Sequence, residues 1–252
     1  MHWRGNTGGY ERTMDFNERG TATGVRHPWE KHRFKFYHDV IVSSFGRRPL
    51  SVLDVGAGDG WFARELRSVW EAPLDITLWG SGYGEGDAKE DGIPRIAGNP
   101  DRSFDLVLML DVAEHVTDDA GFLASIIRRN LEPGGRILFS VPAWTWLWSS
   151  HDMRLRHVRR YSPRVARALL EGAGLRVLES GGLFPILLPI RVLQITREKV
   201  MKVPVPGLEG APRGVMTMLV NGVLALDRKV ARGASRVGIQ VPGLSWWALC
   251  AR

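Results

Sequence analysis

The feature that most constrains the fold of this chain is the stretch VLDVGAGDGWFAREL at residues 52–66. An apolar run typical of a buried strand ends in an acid, glycine follows at every second position, and a helical pattern begins directly afterwards. Glycine adopts backbone conformations that other residues avoid, so this spacing predicts a sharp strand-to-helix turn that lies close against a ligand. The N-terminus of the helix behind such a turn favours a negatively charged group.

Strand and helix patterns alternate along most of the chain. Strands are predicted at LSVLDVG, LDITLW, FDLVLML, RILFSVPA, LRVLESGG and LSWWALCA, with a weaker strand at GIPRIAG. Helical apolar stripes occur at residues 27–45, at 118–131 with Thr117 as the expected cap, and at 163–173 with Ser162 as the cap. This alternation predicts a doubly wound α/β sheet with helices on both faces. Ligands of such sheets bind beyond the carboxyl ends of the strands, so functional residues are expected there.

Composition limits the cellular setting and the number of domains. The 252 residues include one cysteine, Cys250, which excludes an internal disulfide and suits a reducing compartment. Residues 1–26 are polar and glycine-rich, lack the apolar core of a signal peptide, and are predicted to be a flexible arm. The longest apolar stretch, GLFPILLPI, is far shorter than the roughly 20 residues that span a bilayer. We therefore expect a cytoplasmic protein that at most lies on a membrane surface.

The glycine pattern discriminates between cofactor classes. A dinucleotide fingerprint, G-x-G-x-x-G, would need glycine where Trp61 stands, and the G-K-[ST] of a phosphate-binding loop is absent. What remains, an acid followed by three alternating glycines from Asp54, resembles motif I of the class I S-adenosylmethionine-dependent methyltransferases. FDLVLMLDVAEHV and LEPGGRILFSVP are similar to the fourth and fifth strands of that family. WLWSSHD, HVRRYS and HPWEKHRFKF resemble a bacterial small-molecule branch related to ubiquinone-biosynthesis O-methyltransferases.

The resemblance covers residues 27–183 and the last strand, and it implies a seven-stranded Rossmann-like sheet that binds S-adenosyl-L-methionine. The implied cofactor-binding residues are Asp54, Gly56, Ala57, Gly58, Gly60, Gly80, Ser81, Asp111 and Val112. One position departs from the family, because Gly80 stands where an acid usually bonds the cofactor ribose. Either Ser81, Glu85 or Asp87 substitutes for that acid, or the affinity for the cofactor is low.

The loops after the fourth and fifth strands carry the candidate acceptor site. Methyl transfer needs a base only if the acceptor must lose a proton, and His115, His151 and Tyr161 are the candidates. The residues expected to contact the substrate are Trp144, His157, Arg159 and Arg160. Arg164 and Arg167 are expected on the solvated face of the following helix. No metal site is predicted, because no His, Cys or carboxylate pair has the usual ligand spacing.

A basic segment at residues 184–243 separates the last two strands. It carries nine Lys or Arg against three Asp or Glu, whereas the rest of the chain has 25 against 24. The helix predicted within it has one apolar face, formed by Val215, Leu219, Val223, Leu226 and Val230. Three interpretations stay open: a substrate lid or homodimer helix, an anchor on an anionic membrane surface, and a nucleic-acid site. Nucleic acid is disfavoured, because LDVAEH replaces the Asn/Asp-Pro-Pro-aromatic signature of nucleic-acid methylases.

The sequence thus predicts an arm at 1–26, a methyltransferase core at 27–183, a basic helical insertion at 184–243 and a last core strand at 244–252. The predicted function is transfer of a methyl group to an oxygen, nitrogen or carbon of a small molecule that is acidic or lipid-linked. The alternative is a non-catalytic, cofactor-binding interaction module of the same fold. An RNA methyltransferase is a less favoured possibility.

Overall fold

A computed structural model describes residues 26–80, 92–202 and 215–252. Within these ranges the chain forms one mixed sheet in the order β3-β2-β1-β4-β5-β7-β6. The strands are β1 Leu50–Val55, β2 Leu74–Trp79, β3 Arg95–Ile96, β4 Phe104–Leu110, β5 Leu131–Pro142, β6 Arg176–Leu183 and β7 Ser245–Ala251. The seven-stranded α/β prediction is therefore confirmed.

Helices cover both faces of this sheet, as expected of a doubly wound fold. They are α1 Pro28–Phe45, α2 Trp61–Val69, α3 Asp119–Asn130, α4 Ser150–Arg154, α5 Pro163–Gly172, α6 Leu188–Met201 and α7 Val215–Arg236. One apolar core lies between the sheet and α1, α2 and α7. A second core lies on the opposite face, where α3 and α5 pack.

The strand order reverses between β1 and β4, and this reversal positions the candidate site. From β1 the chain moves outward to β2 and β3, then returns to place β4 on the other side of β1. All of these pairs are parallel, and Asp54 of β1 lies in register with Leu78 of β2 and Leu108 of β4. The carboxyl ends of β1 and β4 therefore meet at one edge, where this class of sheet leaves a crevice for its ligand.

Three local expectations need correction. The cap of α3 is Asp118, not Thr117, because the Asp118 carboxylate accepts a 2.9 Å hydrogen bond from the Gly121 amide. The weak strand expected at GIPRIAG is present but shorter, because only Arg95–Ile96 pair with β2 at the sheet edge. Strand β5 begins at Leu131, well before the predicted RILFSVPA, because Leu131 already pairs with Phe104.

The insertion between β6 and β7 consists of α6 and α7 in its described part. Helix α7 buries Leu224 and Ala231 and packs on α1 and β6. Arg228 pairs with Asp39 of α1 at 2.8 Å, and Arg232 pairs with Glu179 of β6. The predicted apolar face of α7 is consequently the one that points to solvent. Among the described residues, no helix has both the length and the apolar character needed to cross a bilayer.

Candidate active site

The glycine loop between β1 and α2 is held in a backbone form that only glycine adopts easily. Gly56, Gly58 and Gly60 have φ values of +66°, +54° and +73°. A Cβ atom at Gly56 would lie 2.8 Å from Cγ2 of Val112, and one at Gly60 would lie 2.7 Å from Cδ1 of Leu78. A Cβ at Gly58 would meet nothing within 4 Å. Two glycines therefore permit tight packing, and the third borders open space in which a ligand can approach the backbone.

The amide groups of the loop are anchored to the end of β2. Gly56 and Ala57 donate hydrogen bonds of 2.7 and 3.3 Å to the carbonyl of Trp79. Gly60 closes the turn by donating to the carbonyl of Ala57 at 2.8 Å. The loop is thus a rigid turn whose shape is set before any ligand binds.

Asp54 is a buried carboxyl group at the mouth of this loop. Its side chain is almost fully buried, and Oδ2 has no hydrogen-bond partner among the described residues. Burial raises the pKa of Asp54 to about 7, although the nearby Arg33 guanidinium opposes the rise. A buried acceptor atom without a partner is costly, so it indicates a site for a donor that the protein itself does not supply.

Asp111 follows β4 and faces the same crevice. It has a φ of +57°, a conformation that non-glycine residues adopt rarely and that is concentrated at functional sites. Its Oδ1 accepts a 2.9 Å hydrogen bond from the Ser140 hydroxyl, and its Oδ2 accepts one from Arg33. Because Val112 contacts Gly56, the predicted cofactor residues after β1 and after β4 do come together.

Two site residues lie in α1, where the sequence indicated only a helical stripe. Arg33 reaches Asp111 and stacks over the ring of Trp29, with its guanidinium carbon 4.8 Å from the ring centroid. Tyr37 is fully buried, and burial together with the Asp111 carboxylate raises its pKa. A local periodicity cannot show which helix crosses the distant ends of β1 and β4, so these residues were missed.

The ribose side of the predicted site is only partly described. Gly80 directly follows β2 and donates a 3.1 Å hydrogen bond from its amide to the carbonyl of Ile96. Ser81, Glu85 and Asp87, the predicted substitutes for the missing acid, lie outside the described residues. The prediction about that position therefore stays open.

His115 lies in a single-turn helix, Ala113–His115, directly after Asp111. Burial, with the His157 ring as a second cause, lowers the pKa of His115 to about 4, so its imidazole is neutral near pH 7. The rings of His115 and His157 meet edge to face with centroids 4.8 Å apart. Glu114 completes a group whose ligand atoms lie within 4.8 Å of one another, a spacing that suits a metal ion. Local sequence spacing did not indicate this group, because His157 comes from a different loop.

Asp152 is the centre of a buried ionic cluster that holds the loop after β5. It accepts hydrogen bonds from Nδ1 of His157 at 2.8 Å, from Nε of Arg160 at 2.6 Å and from the Ser149 amide at 3.0 Å. Burial alone would raise the pKa of Asp152, but the His157 and Arg160 contacts outweigh burial and hold the pKa well below its usual range. These hydrogen bonds connect distant parts of the loop and so fix its conformation.

The predicted roles of three residues do not fit this geometry. The Tyr161 hydroxyl is buried and donates to Asp119 at 2.6 Å, and burial raises its pKa further above the physiological range, so it is badly placed to act as a base. Arg160 bonds Asp152 and the Ala143 carbonyl, and Arg159 bonds Asp119 and the Thr117 carbonyl. These side chains fasten the loop to the core instead of presenting free donors to a substrate.

His151 and Trp144 remain at the edge of the site. Burial, followed by the charge of Arg191, lowers the pKa of His151 to about 4. Trp144 has a φ of +65° and donates from its indole nitrogen to the Gly243 carbonyl at 2.8 Å. It lines a pocket of about 420 Å³ at the ends of β5 and β6, together with Arg164, Arg167, Gln240 and Trp246. Arg164 is exposed and the Arg167 side chain is 41% exposed, as expected of a solvated face, and both also border this pocket.

A family model described as a methyltransferase domain matches residues 29–180. A "Probable S-adenosylmethionine-dependent methyltransferase" of Mycolicibacterium smegmatis is 28% identical over 157 residues, which cover 58% of this chain and 61% of that protein. A ubiquinone biosynthesis O-methyltransferase of Paramagnetospirillum magneticum is 31% identical over 126 residues, covering 43% of this chain and 50% of that one. The chain thus spans about half to three fifths of the curated relatives it matches.

Solved structures share the fold at low identity. A crystal structure of an S-adenosylmethionine-dependent methyltransferase from Mesorhizobium loti matches with a TM-score of 0.52 at 14% identity, covering 85% of this chain and 96% of that one. The 1,6-didemethyltoxoflavin-N1-methyltransferase of Burkholderia thailandensis matches with a TM-score of 0.50 at 17% identity, covering 89% of this chain and 80% of that one. Identities this low establish the fold alone.

Proposed function

Because this chain belongs to the class I S-adenosylmethionine-dependent methyltransferases, we propose that it transfers the methyl group of that cofactor to an oxygen, nitrogen or carbon atom of a small molecule. The observation that carries the proposal is the unpartnered Oδ2 of Asp54 beside the three left-handed glycines. A turn that served only to connect β1 with α2 would have no need of a buried, unsatisfied carboxyl group.

The residues present fit S-adenosylmethionine at its amino-acid end. Asp54 offers an anionic acceptor for an ammonium group, and Arg33 offers a guanidinium suited to a carboxylate. The glycine loop leaves open space beside Gly58. Near the ribose the fit rests on residues after Gly80 that lie outside the described ranges.

Positioning is the main contribution of this site to the reaction. When bound, S-adenosylmethionine would supply an electrophilic methyl group, and Asp54, Arg33 and the glycine loop would hold its amino-acid end. Holding reacting atoms in line removes much of the entropic barrier. Asp54, Asp111 and the rigid glycine loop would fix the position of the cofactor, which is one of the two reactants that must be aligned.

If the atom to be methylated carries a proton, the geometry favours His115 as the base that removes it. It follows Asp111 along the chain, and its Nδ1 has no hydrogen-bond partner among the described side chains. Its pKa of about 4 keeps the ring neutral and able to accept a proton at pH 7. His151 is the second candidate and lies further along the same edge, in α4.

We propose that the acceptor combines an acidic group with an apolar body. The pocket beside Trp144 has Trp246 in its wall and the exposed Arg164 at its border, whereas Arg167, also at the border, already bonds Glu171 and Ser180. Guanidinium groups bind carboxylates and phosphates, and indole walls bind apolar rings or chains.

The test is turnover with a methyl-labelled cofactor and a panel of acidic and neutral small acceptors. We expect labelled product and S-adenosylhomocysteine in equal amounts, and Arg164→Ala should raise KM for acidic acceptors with little effect on kcat. Exposed Arg47, which pairs with Glu71 away from the pocket, provides the matched Arg47→Ala control. Equal use of acidic and neutral acceptors would overturn the acceptor class. Cofactor binding without transfer to any acceptor would favour a binding module.

A further inference from the structure

The outward face of α7 carries an apolar stripe that is largely exposed to solvent. Leu219, Val223, Leu226 and Val230 recur at alternating intervals of four and three residues, which places them on one side of the helix. They are between 40% and 61% exposed. Soluble proteins scatter single apolar side chains over their surfaces, but a continuous stripe of this kind indicates an interaction surface.

The ion pairs on the inner face of α7 prevent this stripe from turning inward. Arg232 is buried and pairs with Glu179, and Arg228 pairs with Asp39 at 2.8 Å. Leu224 and Ala231 fill the core on the same side. If the helix rotated to bury Leu219 and Leu226, Leu224 and Ala231 would become exposed and both ion pairs would break. The packing of α7 therefore fixes the outward orientation of the stripe.

Helix α6 adds a second exposed apolar surface to the same insertion. Ile190, Leu193, Val200 and Met201 are at least half exposed. The helix is tied to the loop after β5, because Lys199 donates to the Trp146 carbonyl at 3.1 Å and Glu198 accepts from the Ser150 amide at 2.9 Å. Trp146 is itself 51% exposed. Whatever α6 binds is therefore brought next to the loop that borders the acceptor pocket.

Positive charge accompanies these faces. Lys229 and Arg236 of α7, Arg197 of α6 and Lys202 directly after α6 are exposed. The segment 184–243 carries nine Lys or Arg against three Asp or Glu. An apolar face with cations beside it is the pattern of helices that lie in the surface of an anionic bilayer.

We propose that the outward faces of α6 and α7 dock this protein on an anionic membrane surface. The charge favours this occupant over a second copy of the chain, because a two-fold contact through these faces would bring like charges together. The negative headgroups of an anionic bilayer would instead attract these basic residues. The proposal is independent of methyl transfer and holds whatever the acceptor is.

The test is cosedimentation of the full chain with vesicles of phosphatidylcholine alone or mixed with phosphatidylglycerol. We expect binding to the anionic vesicles only, weakened by added salt. Leu219→Glu/Leu226→Glu should reduce this binding at least about tenfold, and Lys229→Gln/Arg236→Gln should also reduce it about tenfold. Val69→Glu/Val165→Glu places the same changes on exposed positions of α2 and α5 and should bind as the wild type does.

Sedimentation velocity and thermal melts of every variant accompany the vesicle assay. The proposal is overturned if the protein binds neither kind of vesicle, if it binds both equally, or if the control pair loses binding as the leucine pair does. A dimer that Leu219→Glu/Leu226→Glu dissociates, without any vesicle binding, would assign the face to a second copy and would equally overturn membrane docking.

Discussion

Arg33 and Asp111 form an ion pair across the mouth of the site, although 78 positions separate them in the sequence. The contact joins α1 to the end of β4 and holds a positive charge near the buried Asp54. The guanidinium also stacks on Trp29, which fixes the direction of its long side chain. The pair therefore organises the place where the amino-acid end of the cofactor would bind.

Replacing Arg33 should weaken cofactor binding most at neutral pH. The positive charge of Arg33 lowers the pKa of Asp54, so Arg33→Gln should raise that pKa further above about 7 and leave less carboxylate to bind an ammonium group. We expect about a tenfold loss of S-adenosylmethionine affinity at pH 7 and a smaller loss at higher pH, measured by calorimetric titration. Arg47→Gln removes an exposed arginine whose partner is Glu71 and should leave affinity unchanged. A loss that does not depend on pH would contradict the electrostatic explanation.

The ligand-free protein should become more stable when Asp54 is changed to Asn. In the folded state burial raises the pKa of Asp54 from 3.8 to about 7, so the free energy of unfolding falls as pH rises between these values. Asn resembles the protonated carboxyl group and cannot ionise. The free energy of unfolding of Asp54→Asn should therefore exceed that of the wild type by at most about 4 kcal/mol above pH 7. Urea denaturation of both proteins should show no difference below about pH 4 and a growing one above it. A variant less stable than the wild type at pH 8 would refute the assignment.

Gly56→Ala should destabilise the protein by two separable effects. Its left-handed backbone costs alanine about 1 kcal/mol, and the Cβ would lie 2.8 Å from Val112, adding about 1–3 kcal/mol of overpacking. Gly174→Ala, at φ +84° with open space around the Cβ, should show only the backbone cost. Thermal melts should also show that Val112→Ala restores part of the loss in Gly56→Ala. Equal losses at both glycines would mean that the contact with Val112 is unimportant.

Asp152→Asn should disrupt the loop that borders the acceptor site. It removes the charge that holds His157 and Arg160, and loss of one partner in a buried ionic cluster costs about 3–5 kcal/mol. Because the folded pKa is depressed, this stabilisation is present above the unfolded value of about 4 and is lost as pH falls below it. Glu71→Gln breaks an exposed pair and should cost less than about 1 kcal/mol. Denaturation curves that shift equally for the two variants would exclude a special role for Asp152.

The sequence predicted the order of the elements because each has a clear local cause. The apolar runs in β1, β2 and β4 and the alternating glycines are local signals, and the structure places them at the predicted residues. The orientation of α7 could not be predicted in this way. Its buried face contains Asp227 and Arg232, which are retained inside through a backbone hydrogen bond and an ion pair, so apolar periodicity pointed to the face that the fold exposes.

The polar loop residues show a second limit of sequence reasoning. His157, Arg159, Arg160 and Tyr161 were expected near a substrate because of their chemistry and their place after β5. In the structure their partners are Asp119 and Asp152, which are carboxylates of the chain itself. A sequence shows which groups can bind an acid, but only the fold shows which acid they reach. Arg33 was missed for the same reason, since its partner lies 78 positions away.

Asp54, with its buried and unpartnered Oδ2, is the residue on which cofactor binding should depend most directly. The decisive measurement is calorimetric titration of the full chain and of Asp54→Asn with S-adenosylmethionine and S-adenosylhomocysteine, with NAD as the control ligand and Asp75→Asn, an exposed carboxyl on β2, as the control variant. We expect both adenosyl ligands to bind the wild type and Asp75→Asn, about 10–100-fold weaker binding to Asp54→Asn, and no binding of NAD. Equal affinity of wild type and Asp54→Asn, or no binding by a folded wild type, would contradict the account.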